Sequence, residues 1–273
     1  MATRILSAAV LAPVALAAGY WGGFPFALFV TLVAVLAFWE WSGMTGLRAP
    51  GLRTACAVCL GAGLLALGFG APVWSAALIG APALLALCLS RVAPALPWSG
   101  LGLLYAAIPS AGAILLRQSG AIGWVAVLFV LLVVWATDVA AYFGGRALGG
   151  PKLWARVSPN KTWSGALSGL ALGCVAGALV AALAGAGSVA VAFAIAAALS
   201  IASQAGDLLE SALKRRFGVK DSGRTIPGHG GVLDRVDGLY GAAALAWLMA
   251  AAGLGEGLLG LPPHVAGIAA SAP

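Results

Sequence analysis

Within "SQAGDLLESALKRRFGVKDSGRTIPGHGGVLDRVDGLYG", Asp207, Glu210, Ser211 and Lys214 follow one another at steps of three, one and three. That spacing lines them along one face of a helix, and Asp234 and Asp237, three apart at the start of another, share a face as well. Carboxylates gathered in this way repel one another unless a cation offsets them. The donors are oxygens, with no cysteine and a single histidine nearby, which favours Mg2+ or Mn2+ over zinc. Lys214, Arg215, Arg216, Lys220, Arg224 and Arg235 surround them and suit a substrate with several phosphates. Acids for a metal, bases for phosphates and glycines for access together describe a nucleotidyl- or phosphoryl-transfer site. His229 stands between Gly228 and Gly230, and three roles are open to it: donor to a phosphate, acid or base, or organiser of the turn.

A second polar block precedes this one, "WATDVAAYFGGRALGGPKLWARVSPNKTWSG". Asp138 lies at the end of an apolar helix, where an unpaired carboxylate is costly. It reads either as part of the site or as a partner of Arg146 or a helix cap. Gly144, Gly145, Gly149 and Gly150 allow tight turns and close approach to a ligand. Ser158, Asn160, Lys161, Thr162 and Ser164 offer donors for phosphate oxygens and lead into a helix starting near Gly165, whose N-terminus favours an anion. The plain alternative is an interfacial loop whose lysines and arginines face headgroups.

The elements that position these residues are membrane helices. Of the 273 residues 62% are hydrophobic and only 8% charged, a balance that excludes an ordinary soluble domain. Apolar runs predict an all-α, polytopic membrane protein of about nine helices, near 5–20, 24–40, 54–70, 73–90, 101–116, 121–143, 165–184, 188–206 and 236–257. The stretch 54–90 reads as two spans or as something re-entrant, with Gly68, Gly70 and Pro72 its only break. With the N-terminus cytoplasmic, the connections sort fourteen of the fifteen Lys and Arg residues to one side, leaving only Arg117 opposite. The net charge of +7 then faces anionic headgroups and substrates rather than nucleic acid. Two regions are expected: membrane helices over 1–120, and a catalytic membrane region over 121–273 with polar cytoplasmic connections near 144–164 and 207–235.

Three smaller features complete the pattern. The opening segment has the look of a signal peptide, but in so apolar a chain it reads as a first helix that stays attached. Cys56 and Cys59 form a C-x-x-C without a second pair; with Cys88 and Cys174 they read as packing residues. Gly165, Gly169, Gly173 and Gly177 recur at steps of four and read as a helix-packing stripe, within the monomer or between subunits.

The stretch from Ser211 to Asp237 resembles the signature of phosphatidate cytidylyltransferases, also called CDP-diacylglycerol synthases: S-x-x-K-R, then K-D followed by small residues, P-G-H-G-G and D-R-x-D. Ser211, Lys214, Arg215, Lys220, Asp221, Pro227, Gly228, His229, Gly230, Gly231, Asp234, Arg235 and Asp237 all stand where that signature asks. "TDVAAYFGGRALGG" and "SPNKTWSG" are similar to further blocks of the family, with Asn160 and Ser164 departing from the usual S-P-K-K-T-x-E-G.

The resemblance implies synthesis of CDP-diacylglycerol from CTP and phosphatidate with release of pyrophosphate. It also implies an integral membrane enzyme of a bacterial-type inner membrane with its site facing the cytoplasm, a homodimer, and a need for Mg2+. The metal acids match Asp207 and Asp234, with Asp237 and Asp221 in support; Mn2+ and an additional monovalent cation stay open. Lys214, Arg215, Lys220 and Arg235 are expected at phosphates, His229 beside them, and Asp138, Ser158 and Lys161 in the cavity wall.

A cation-coupled transporter is the rival from another class, since membrane acids also mark ion pathways. The charges cluster in connections rather than mid-membrane, and no repeated half is evident. A CDP-alcohol phosphotransferase should show D-G-x-x-A-R, which is absent.

Overall fold

The computed structural model describes residues 2–47, 49–89, 95–185, 188–226, 228 and 230–252. Among them are nine α-helices: α1 Ala2–Trp21, α2 Gly23–Met44, α3 Pro50–Gly68, α4 Pro72–Cys88, α5 Leu96–Arg117, α6 Gly123–Leu148, α7 Trp163–Leu183, α8 Val189–Arg216 and α9 Leu233–Ala251. Each overlaps one of the expected runs, and the expected end of the last, 253–257, lies outside the described residues. The doubtful stretch 54–90 forms two helices, α3 and α4, parted at Gly70, whose φ of 78° only glycine adopts freely. Six helices, α2, α3, α5, α6, α7 and α8, are long and apolar enough to cross a bilayer. Helix α4 and the apolar part of α1, Val10–Trp21, are shorter, and α9 begins with Asp234, Arg235 and Asp237. Large apolar side chains such as Val58, Leu84, Leu167, Leu179 and Ile201 point outward, as lipid-facing positions do.

The chain forms two compact units, one of residues 1–114 with 216–236 and the other of residues 115–215 with 237–273. In the first unit Phe38, Leu60, Leu64 and Leu103 are fully buried. Trp41 fixes the C-terminal end of α2: its indole Nε1 donates to the Trp98 carbonyl at 2.7 Å and its ring stacks on Tyr105 at 4.9 Å. Trp98 also receives the segment after α8, with Phe217 edge-on at 5.0 Å and the Arg216 guanidinium over its ring at 5.0 Å.

In the second unit the glycine stripe of α7 is wholly buried against α6 and α8. A Cβ on Gly169 would stand 2.8 Å from the Thr137 carbonyl oxygen, one on Gly173 2.5 Å from Thr137 Oγ1, and one on Gly177 would strike Ala196. The stripe therefore packs inside the monomer. It brings α6 and α8 close enough for Thr137 Oγ1 to donate to Ser200 Oγ at 2.8 Å. Phe129, Val133, Ala181, Ala196, Leu199 and Ala242 form the surrounding core. Helices α8 and α9 approach as closely: a Cβ on Gly206 would lie 2.5 Å from the Asp237 carbonyl oxygen.

The connection after α6 departs from a plain loop. Helix α6 runs on through Gly144 and Gly145 to Leu148, so these two glycines do not form the expected turn. They face α7, where a Cβ on Gly145 would stand 2.9 Å from Thr162 Oγ1. A Gly-Gly pair read as a turn because glycine disfavours helix interiors; close packing against α7 decides otherwise. The turn comes at Gly149 and Gly150, with φ of 61° and 100°. A two-stranded antiparallel hairpin follows, β1 Lys152–Trp154 with β2 Ser158–Thr162.

Candidate active site

The hairpin runs directly into α7. Thr162 is the N-cap, its Oγ1 accepting from Gly165 N at 3.1 Å. Ser164, standing where the resembled family usually has glutamate, donates to the Gly149 carbonyl and lies 3.0 Å from Thr162 Oγ1. Here that position closes the turn out of α6. Strand β2 carries Ser158 and Lys161, and Arg215 Nε on α8 donates to the Val157 carbonyl at 3.3 Å, tying the hairpin to the end of α8.

This arrangement sets Lys161 beside α8, where its ammonium forms an ion pair with Asp207. Both side chains stay about a third exposed, 28% and 35%, so the pair is open to exchange with a solute. Ser211 Oγ donates to Asp207 Oδ1 at 3.4 Å. Asp138 on α6 and Asp237 on α9 both feel the charges of Asp207 and Lys161. Asp237 also accepts from Gly238 N at 2.7 Å. Three aspartates from three helices thus lie within electrostatic reach of one another, and Lys161 forms its ion pair with Asp207. Arg146 donates to Tyr142 Oη at 3.2 Å. Lys214, expected at a phosphate, pairs one helical turn back with the buried Glu210 at 2.5 Å.

The other charged connection belongs to the first unit. Lys220, Asp221, Arg224 and Arg235 are exposed there. Asp234 turns inward: its carboxylate accepts from Ser222 N at 3.1 Å and from Gly231 N at 2.9 Å. Ile226 N donates to the Gly230 carbonyl at 2.9 Å, closing the loop on itself. His229 and Pro227 lie outside the described residues.

One residue escaped the motifs. Glu40, on α2, is only 5% exposed, and its carboxylate accepts four hydrogen bonds from this loop: Ser222 Oγ at 3.2 Å, Thr225 Oγ1 at 2.5 Å, Val232 N at 2.9 Å and Leu233 N at 2.8 Å. The last two are amides at the start of α9, which have no partner within the helix and carry its positive dipole end. The signal was present in the sequence: a lone carboxylate in an apolar helix, the same feature that marked Asp138.

The donors of the second unit suit a hard divalent cation in kind, since Asp138, Asp207 and Asp237 offer only oxygens. The Lys161 ammonium already supplies positive charge at Asp207, the place a metal's charge would take. Among the described residues no three His, Cys, Asp or Glu side chains converge on one point.

Comparison with known proteins agrees in kind. The sequence profile of the cytidylyltransferase family matches residues 2–252. The phosphatidate cytidylyltransferase of Brucella suis is 44% identical over 254 residues, 91% of this chain and 93% of that protein. That of Pseudomonas aeruginosa is 39% identical over 267 residues, covering 89% and 96%. That of Helicobacter pylori is 47% identical over 124 residues, 45% and 46% of the two chains.

Proposed function

We infer, because this chain belongs to the cytidylyltransferase family, that it transfers a cytidylyl group from CTP to phosphatidate, giving CDP-diacylglycerol and pyrophosphate. It is a CTP-dependent nucleotidyltransferase of phospholipid biosynthesis and a multi-pass membrane protein. The observation that carries the activity is the family match along nearly the whole chain, which includes both polar connections.

The chemistry suits the residues. The phosphate monoester of phosphatidate is already an anion, so its oxygen attacks the α-phosphorus of CTP without a strong general base. The bond from that phosphorus to the bridging β-phosphate oxygen breaks, and pyrophosphate departs. Such a step asks for charge neutralisation and in-line positioning. In the proposal Lys161, Lys214, Arg215, Lys220 and Arg235 neutralise phosphate oxygens, and Asp221 and Ser158 orient the groups beside them. Asp237, with Asp221, supports the proposed metal carboxylates, and Asp138 completes the cavity wall. His229 is proposed beside the phosphates.

Asp207 and Asp234 remain the proposed carboxylates for Mg2+, with Mn2+ as the substitute and a monovalent cation as a further addition. When bound, the metal lends charge stabilisation to the transferring phosphoryl group. With a metal held by Asp207, the Lys161 ammonium would be free for a substrate phosphate, as the partial exposure of the pair allows.

The proposal extends to setting. Nine spans with the N-terminus inside follow from the sorting of basic residues, which leaves the site on the cytoplasmic face of a bacterial inner membrane. The assembly proposed is a homodimer. The direct test is metal removal: purified protein given CTP and phosphatidate should form no CDP-diacylglycerol after chelation and recover it when Mg2+ is restored. Undiminished transfer in chelator would remove the metal from the account and leave the cytidylyl transfer itself standing.

A further inference from the structure

We propose that Glu40 is a positioning residue for the charged segment 220–235, holding its substrate-facing side chains in place from α2; the proposal rests on the cytidylyl-transfer reading above. A buried carboxylate is costly unless hydrogen bonds compensate it, and an apolar residue of similar size commonly stabilises as well or better. An acid here therefore points to control of conformation.

The geometry is that of a clamp. Each carboxylate oxygen takes one backbone N–H and one hydroxyl: Oε1 from Val232 N and Thr225 Oγ1, Oε2 from Leu233 N and Ser222 Oγ. All four partners donate, so the carboxylate serves only as an acceptor here. The attachment points lie on both sides of the Ile226–Gly230 turn, so a single side chain fixes both of its arms. The loop is built around it without slack: a Cβ on Gly223 would stand 2.5 Å from Glu40 Oε1, and one on Gly231 would strike Glu40 Oε2 and Ser222 Oγ. Ser222 carries the clamp further, because its N–H donates to Asp234 while its hydroxyl donates to Glu40. Lys220 and Arg224, exposed between or beside these anchors, then hold fixed positions from which to meet phosphates.

The test compares the full-length protein with its Glu40→Gln, Thr225→Val and doubly substituted forms. Glutamine keeps the shape and replaces one accepting oxygen by an NH2 group facing donors. With CTP and phosphatidate, kcat/KM for CTP should fall about 10–100-fold in Glu40→Gln at unchanged melting temperature. Trypsin should cut after Lys220 and Arg224 on the order of 10-fold faster, a readout of local opening that a merely structural loss elsewhere would not give. The double variant should lose no more than Glu40→Gln alone, since both substitutions loosen one clamp. Wild-type kcat/KM and wild-type cleavage in Glu40→Gln would overturn the proposal. Should Glu40→Gln fail to fold, Thr225→Val decides: lowered kcat/KM with faster cleavage supports the clamp, and unchanged values overturn it. A wild-type protein inactive with CTP and phosphatidate would instead sink the cytidylyl-transfer reading, and the tryptic comparison would still judge the clamp.

Discussion

Two groups of carboxylates in this molecule are dressed in opposite ways. In the first unit Glu40 and Asp234 are held by backbone amides and short hydroxyls of one loop. In the second, Asp207 is held by the tip of a flexible lysine, and Asp138 and Asp237 share the field of the same ammonium. An acid bonded to several amides cannot change partners without opening the backbone around it. An acid paired with a lysine changes partners by rotating a side chain. The first kind builds a surface, whereas the second is free to act on a solute.

The largest effect is therefore expected at Asp207. Asp207→Asn keeps the volume and deletes the exchangeable charge, so kcat should fall about 10²-fold or more with the helices and melting temperature unchanged. A loss confined to stability would break the comparison, because Asp207 would then behave as a loop anchor. Asp234 is the sharper case, being both backbone-bound and a proposed metal carboxylate. In the proposal Asp234→Asn abolishes cytidylyl transfer while the protein stays folded in the membrane; near-normal activity would reduce Asp234 to the clasp seen between Ser222 and Gly231. The smallest effect on chemistry belongs to contacts that only pack. Gly173→Val forces a side chain against Thr137 and Ser200 and should cost roughly 1–3 kcal/mol of stability. A lowered melting temperature with an unaltered KM for CTP in the folded fraction would show it, and a raised KM would mean the stripe shapes the site as well.

Much of this was legible before any coordinates. The nine helices announce themselves because apolar runs in lipid have few other outcomes, and Gly or charged breaks mark their ends. The Ser211–Asp237 block was legible as chemistry because acids and bases are rare elsewhere in the chain. What the sequence hid was partnership. Glu40 stands far from the loop in sequence, so only the fold reveals that it completes it. Lys214, proposed at a phosphate, pairs with Glu210 one turn back on the same helix, a partnership the motif does not show. Gly144 and Gly145 looked like a turn, since nothing local announces the neighbouring helix that needs their missing side chains. The hairpin over 152–162 is too short and polar to carry a strand pattern.

The central claim is that the nucleotidyl group, and no other part of CTP, passes to the lipid. Purified protein in Mg2+ with phosphatidate and CTP labelled in parallel at the α- or the γ-phosphate tests it most directly. The account predicts α-label in the lipid product and γ-label in pyrophosphate, in equal amounts. Label from the γ-phosphate in lipid, or release of inorganic phosphate with no labelled lipid, would contradict it.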